Sequence, residues 1–211
     1  RVPASIEAAF RIGSFEPAAL LLDAVETISS GDVVRGDEAV RGLGNDLPSA
    51  VMQCIKASLT EFDVDKQQLL LRAAATGKAF AFAAPAYERR SLTRAFLRAA
   101  AALRVLNVVR HHDVGIPVTH AQVMQAPTGY ASLVQRLALR GFHFVALRAV
   151  DALSASASAR TRLALEAARR NVVAHWAATH VERRPKESDE ALFAAVQRVL
   201  AGGGGGGAAV A

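Results

Sequence analysis

The residues best suited to chemistry are the six histidines. His111, His112 and Asp113 are contiguous, and His175 and His180 lie close together in the sequence. Histidines that share a metal on one helix face are four residues apart, whereas His175 and His180 are five apart and point about 140° from each other. Adjacent histidines at a helix end should diverge in the same way. The spacing therefore predicts no metal site and no cofactor.

Nucleophilic and phosphate-binding motifs are missing from the sequence. It has no Ser-His-Asp arrangement or nucleophile elbow, no GxGxxG after a strand and no Walker loop. Cys54 is the single cysteine and adjoins Ile55 on a predicted helix, which favours a small buried hydrophobic role. One cysteine excludes a disulfide framework and is typical of a reducing cytosolic compartment. The sequence therefore contains no recognisable motif for catalysis.

Basic residues form a row on one predicted helix. The net charge is +6, and Arg90, Arg94 and Arg98 lie four apart, about 160° from the apolar face that contains Leu92. Such a row is most often a solvated surface. The functional alternative is contact with acidic headgroups or with an acidic partner, while nucleic acid is disfavoured because Tyr87 is the only aromatic residue nearby.

That helix is the longest predicted element, and its end is the most informative stretch of the chain. It begins after Pro85 and extends to Arg110, with apolar residues three or four apart on one face: Leu92, Phe96, Ala99, Leu103 and Leu106. Gly115 and Pro117 predict a sharp reversal after it. Thr119, with Gln122 three residues later, predicts a capping box that opens the next helix.

Two polar residues at this helix end are predicted to be structural. Asn107 borders the apolar face, where an unpaired amide is costly, and Arg110 lies in the last turn beside free carbonyl groups. We expect both to bind the backbone of the turn at residues 114–116 and to fix the direction of the next helix.

The segment LRVLNVVR at residues 103–110, with GIPVT at residues 115–119, resembles the vacuolar protein sorting-associated protein 16 family, in the region that begins its C-terminal helical part. Five further segments are similar in the same order: EPAALLLDA (16–24), AVMQCI (50–55), LLRAAATGKAF (70–80), LVQRLALR (133–140) and AHWA (174–177). His111 and His112 depart from the pattern, since the family more often has an acidic residue and an aromatic residue there.

The resemblance implies a scaffold subunit of the HOPS and CORVET tethering complexes, which act in endosome-to-lysosome or vacuole trafficking and membrane fusion. Such a subunit has no catalytic activity and supports a Sec1/Munc18-type subunit that engages SNARE proteins. In the family, the main contact with that partner lies further toward the C-terminus than this segment. The implied location is cytoplasmic, peripheral on endosomal, lysosomal or vacuolar membranes, with membrane association only through the complex and no binding of nucleic acid.

A basic helical nucleic-acid-binding module is the alternative function. In that case residues 115–119 would be the turn and residues 119–125 the recognition helix. This helix offers His120, Gln122 and Gln125 but no arginine or lysine, on which base readout normally depends.

Composition favours an all-α fold, because 52% of residues are hydrophobic but only 6% are aromatic. We expect an α-solenoid of stacked helical hairpins at residues 15–200, between an uncertain N-terminal segment (1–14) and a disordered glycine-rich tail (201–211). No apolar run is long enough to span a membrane. The absence of an initial methionine suggests a piece of a longer protein.

Five local predictions complete this interpretation. Residues 31–46 form a loose connection, in which a short helix is possible but no cap supports it. Asp63 or Asp65 can cap the helix that follows, and Gly77 ends that helix. The helix from Ala159 turns Leu163 and Trp176 inward, with Trp176 buried between hairpins. Residues 72–80 and 136–144 share the spacing of Arg, Gly and Phe, an internal echo 64 residues apart on the scale of two helical hairpins.

Overall fold

The computed structural model describes residues 13–183 and 188–202, except for the side chains of residues 192 and 199–202. These residues contain no strand and form ten α-helices, with a 3₁₀ turn at Gly44–Asp46, so the predicted all-α class is confirmed. The helices are α1 Pro17–Ser29, α2 Val33–Gly42, α3 Leu47–Thr60, α4 Val64–Phe80, α5 Ala86–Arg110, α6 His120–Gln125, α7 Tyr130–Leu139, α8 His143–Ser154, α9 Ala159–Arg183 and α10 Asp189–Gly202.

The chain divides into two compact units, residues 1–122 and 123–211. The solenoid arrangement across both units stays a prediction. Most of the uncertain N-terminal segment and of the glycine-rich tail lies outside the described residues, although α10 reaches Gly202.

The core of the first unit lies where α3 packs against α1, α4 and α5. It is built from small and aliphatic side chains, which allow close approach of the helices: those that are completely buried include Leu21, Val40, Val51 and Cys54. Of the two candidate caps, Asp63 and Asp65, it is Asp63 that caps α4, because its side chain accepts hydrogen bonds from the backbone N–H groups of Asp65 and Lys66.

The short helix that the sequence left open at residues 31–46 is present as α2, so most of this stretch is not a loose connection. The side chain of Asp32 caps this helix by accepting from the N–H of Arg35. Gly36, taken as a sign of a loop, is a packing position instead. A Cβ atom there would lie 2.3 Å from Cγ1 of Ile28 on α1, so the absence of a side chain lets the two helices approach.

Gly77 does not end its helix, which is a second correction. Helix α4 continues to Phe80, and Gly77 is buried inside it. A Cβ atom on Gly77 would lie 2.6 Å from Cγ2 of Val51 and 2.9 Å from Cδ2 of Leu21. Gly77 therefore makes room for two core side chains, and its packing role outweighs its low helix propensity.

The second unit contains α7, α8 and α9, which all pack on one another. Gly141 separates α7 from α8 with φ +85°, a conformation that favours glycine. Gly77 lies inside a helix and Gly141 between helices, so the echo of residues 72–80 and 136–144 does not mark equivalent structures. Leu163 was expected to face inward but is 71% exposed, whereas Leu165 is completely buried.

No helix within the described residues combines the length and the apolar character that a bilayer crossing requires.

Candidate junction site and basic helix face

The reversal after α5 is closed by its own backbone. The chain leaves the helix at His111, whose φ of −55° and ψ of 147° are extended. The N–H of Gly115 donates to the carbonyl of His111 at 2.7 Å, and the N–H of Ile116 donates to that of Val109 at 2.9 Å. Gly115 has φ +64°, a conformation that favours glycine. The predicted turn is therefore present and needs no side chain to close it.

The predicted capping box at α6 is confirmed. The N–H of Thr119 donates to Oε1 of Gln122 at 2.9 Å, and the N–H of Gln122 donates to Oγ1 of Thr119 at 3.1 Å. These reciprocal bonds satisfy two backbone donors that a helix start leaves open. They also occupy Gln122, one of the three residues that the nucleic-acid alternative would need for base readout.

Asn107 does not bind the turn at residues 114–116, which corrects the sequence-based expectation. Its Nδ2 donates to Oε1 of Gln67 on α4 at 2.8 Å, and Nε2 of Gln67 donates to the carbonyl of Glu61 at 2.8 Å. Gln67 is only 2% exposed. Because buried amides are costly unless bonded, this chain of two hydrogen bonds fixes α5 against α4 and against the segment before it.

Arg110 reaches beyond the predicted turn. Its Nε donates to the carbonyl of Val118 at 2.9 Å and its Nη1 to that of Glu61 at 3.4 Å. Its guanidinium lies 4.1 Å from the centre of the Phe62 ring, within cation–π range. Arg110 thus joins the exit segment to the start of α4, which fixes the exit direction by a different contact from the one expected. Leu103 and Leu106 in the same helix are buried, while Pro117 is exposed.

Arg110 also influences a histidine. The pKa of His120 is lowered, first because the imidazole is partly buried and second because the positive charge of Arg110 disfavours protonation. We call the contacts of Gln67, Asn107, Arg110 and the turn at residues 111–118 the junction.

The contiguous residues His111, His112 and Asp113 come together rather than diverge. Nδ1 of His111 lies 3.2 Å from Oδ2 of Asp113, and Nε2 of His112 lies 3.1 Å from Oδ1. The two rings are 4.0 Å apart, because the chain is already extended at His111. Two imidazoles and a carboxylate are ligands that zinc accepts, but all three side chains are exposed and the carboxylate engages both rings. We assign the cluster to surface hydrogen bonding.

The arginine row lies on the outward side of the first half of α5. Tyr87, Arg90, Arg94, Leu97 and Arg98 share this side and are all exposed, and we call them the basic face. Leu92 and Ala99 on the opposite side are buried in the core. Beside the basic face an open cavity of about 560 Å³ is lined by Ala86, Arg89, Arg90, Thr93 and Arg94.

Trp176 is only partly buried, so the expectation of a fully buried side chain is wrong. Its ring stacks on His180 with the ring centres 5.0 Å apart. His175 instead makes a hydrogen bond of 2.8 Å to Nε2 of His143. His175 and His180 therefore make separate contacts, in agreement with their spacing.

The pKa of His143 is lowered by burial, then by the neighbouring His175 and Arg183, while a hydrogen bond with the backbone of Gly141 acts in the opposite direction. Asp151 and Arg169 form an ion pair further along the same two helices.

Cys54 is the buried small hydrophobe that the sequence predicted. It is completely inaccessible, and burial raises the pKa of its thiol to about 12, so it stays protonated.

Gln67 is the residue that sequence reasoning missed. It is flanked by Gln68 and by the charged residues of the first turn of α4, a polar context that gives no sign of burial. Only the α4 periodicity carried a signal, because it places Gln67 one turn before Leu70 and two turns before Ala74, which are both buried.

The fold and these contacts define an all-helical segment whose polar side chains fix helix ends. A family model identifies this class of helical protein more closely, because residues 1–87 match the family described as Vps16, N-terminal region. The chain is 34% identical to Protein VACUOLELESS1 of Arabidopsis thaliana over 193 residues, 91% of this chain and 20% of that protein. It is also 34% identical to the vacuolar protein sorting-associated protein 16 homolog of Dictyostelium discoideum, over 82% of this chain and 18% of that protein.

The chain belongs to the Vps16 family. It spans about one fifth of the length of the curated relatives it matches. The matched family model covers the N-terminal region, whereas the sequence resemblance placed the chain at the start of the C-terminal helical part.

Proposed function

We propose that this segment is a scaffold element of a Vps16-type subunit in a membrane-tethering complex of the HOPS or CORVET kind, acting in transport to the lysosome or vacuole. The observation that carries the proposal is the 34% identity to Protein VACUOLELESS1 across 91% of the chain. Relatives named for vacuolar protein sorting, from Dictyostelium and Drosophila, support it over 82% and 90% of the chain. The segment has no catalytic role in this proposal.

The segment is further proposed to connect the N-terminal region of the family to its C-terminal helical part. The match to the N-terminal region ends at residue 87, at the beginning of α5, and the LRVLNVVR segment lies beyond it in the second half of the same helix. A continuous helix of 25 residues across this point would couple the position of one part to that of the other. The junction at its end then sets the direction of the chain that follows.

The role in the complex is structural support for a Sec1/Munc18-type subunit. Helical scaffolds bind through surfaces assembled from several consecutive repeats, and an interface below about 1,000 Å² is seldom stable. Because the family contact lies further toward the C-terminus, residues 1–211 alone should bind this partner weakly or not at all.

A capture experiment tests the proposal. Residues 1–211 and a version extended toward the C-terminus, with the sequence of the full-length protein, are immobilised and exposed to the purified Sec1/Munc18-type subunit. The extended version should retain the partner, and residues 1–211 should not. Submicromolar binding by residues 1–211 would place the contact within this segment, and failure of both versions would contradict the proposed complex.

A further inference from the structure

The basic face of α5 combines positive charge with exposed apolar side chains. Arg90 and Arg94 lie on it four residues apart, with Tyr87 71% exposed and Leu97 50% exposed on the same side. The carboxylate of Glu88 belongs to a different side of the helix, because one residue of helix is about 100° of rotation. From Arg90 to Arg98, a little over two turns of helix, the charged residues of the face are therefore all positive.

The cavity beside this face is open and lies among arginine side chains. Arg89, Arg90 and Arg94 line it together with Ala86 and Thr93, and most of the lining surface is apolar. No carboxylate contributes to the lining. Nε of Arg90 donates to the carbonyl of Ala86 at 3.2 Å, which holds its side chain along the helix. Planar guanidinium groups suit phosphate oxygens because two N–H groups can donate in parallel.

Exposed apolar residues on the basic face and in the segment before it distinguish between two kinds of anionic partner. Phe82, in the segment just before α5, is 75% exposed, in addition to Tyr87 and Leu97. An acidic protein segment would satisfy the arginines without any need for these three side chains. A bilayer surface meets both requirements, because phosphate headgroups lie directly above an apolar layer, where aromatic side chains are favoured.

We propose that the basic face docks directly on an anionic membrane surface, with lipid phosphates against Arg90 and Arg94 and with Tyr87 and Leu97 at the acyl boundary. The chain would lie on the bilayer without crossing it. This contact is independent of the proposed scaffold role, and it differs from the expectation that membrane association occurs only through the complex. Attraction of this kind is electrostatic in part, so it weakens as salt increases.

Vesicle flotation of the 211-residue chain tests the proposal. The probes are phosphatidylcholine vesicles with and without phosphatidylserine, at low and physiological salt. The double variant Arg90→Glu/Arg94→Glu should reduce partitioning to the anionic vesicles at least tenfold. The variant Tyr87→Ser/Leu97→Ser, at unchanged charge, should reduce it several-fold, since apolar contact contributes separately.

The matched control is Arg136→Glu/Arg140→Glu on the second unit. These two arginines are also exposed and four apart, and the variant has the same change in net charge. It should bind the anionic vesicles within about twofold of the wild-type chain. Thermal unfolding followed by circular dichroism establishes that each variant is folded before binding is compared.

Three outcomes would overturn the proposal. Equal binding to vesicles with and without phosphatidylserine would exclude charge as the cause. An equal loss in the control variant would show that net charge alone attracts the chain. Binding of a polyglutamate peptide at the basic face, in the absence of vesicle binding, would identify an acidic protein as the partner instead.

Discussion

In the first unit the polar contact between α4 and α5 joins two amides, Gln67 and Asn107, whereas in the second unit the contact between α8 and α9 joins two imidazoles, His143 and His175. Both hydrogen bonds are 2.8 Å long and partly buried. An amide offers a donor and an acceptor at any pH, while an imidazole pair needs one neutral ring as acceptor. The first contact should therefore depend on packing alone, and the second on packing and on pH.

The amide contact should give the largest effect on stability. Gln67→Leu removes the acceptor of Asn107 and one of the two donors to the carbonyl of Glu61, and it should lower the free energy of unfolding by roughly 2 to 4 kcal/mol. Asn107→Leu should cost about 1 to 3 kcal/mol, because it leaves buried Oε1 of Gln67 unpaired despite adding apolar surface. Urea unfolding followed by circular dichroism measures both.

The double variant Gln67→Leu/Asn107→Leu sharpens this prediction. Its cost should be less than the sum of the two single costs, because each single variant leaves one amide without its partner and the double variant removes both amides. Strict additivity would mean that the two amides do not depend on each other.

The aromatic contact of the second unit should come next. Trp176→Ala should cost about 2 kcal/mol, below the roughly 3 to 5 kcal/mol of a fully buried tryptophan, because the side chain is only partly buried against His180. Unfolding should be followed by circular dichroism and not by tryptophan fluorescence, because the variant removes the single tryptophan of the chain. Trp176→Phe, which retains a ring over His180, should cost less than half as much. An unchanged melting temperature in Trp176→Ala would contradict the packing.

Arginines in the two halves of α5 should differ when each is replaced by methionine. Arg110→Met removes the bonds to Val118 and Glu61 and the contact with Phe62, and it should cost about 1 to 2 kcal/mol. Arg94→Met, on the exposed basic face, should change stability by no more than about 0.5 kcal/mol. Denaturant unfolding compares the two directly. Equal costs would mean that the junction does not depend on Arg110.

The helix pattern was largely predictable because it depends on local signals. Pro85, Asp63 and the Thr119 and Gln122 pair mark helix starts by chemistry within one turn of the chain. Glycines were harder to interpret. Gly115 and Gly141 have positive φ and mark turns, while Gly36 and Gly77 lie in helices because another helix approaches them, which a single sequence does not reveal.

The junction shows the same limit at the level of side chains. The sequence identified Asn107 and Arg110 as structural, but it could not identify their partners. Gln67 is 40 residues from Asn107, and Glu61 is 49 residues from Arg110. Contacts at that separation depend on how α4 packs against α5, so they follow from the tertiary structure and not from helical periodicity.

The smallest predicted effect is the pH dependence of the imidazole contact. The pKa of His143 is lower in the folded protein than the usual value of 6.5, chiefly because of burial and then of His175 and Arg183. Between the lowered value and 6.5 the unfolded chain binds more protons than the folded chain, so stability decreases as pH falls below about 6.5 and is fully retained above it. His120 in the first unit should contribute in the same direction, since its pKa is also lowered.

Urea unfolding at several pH values between about 7.5 and about 5 measures this dependence, because that range extends to both sides of the usual imidazole pKa. His143→Gln should flatten the decline, because glutamine can still bond His175 but does not titrate. Phe144→Leu, an exposed neighbour on the same helix, should leave the decline as it is. The sign is the decisive observation. If stability rose as pH fell through 6.5, protonation would favour the folded state, and the contrast between the amide contact of the first unit and the imidazole contact of the second would not hold.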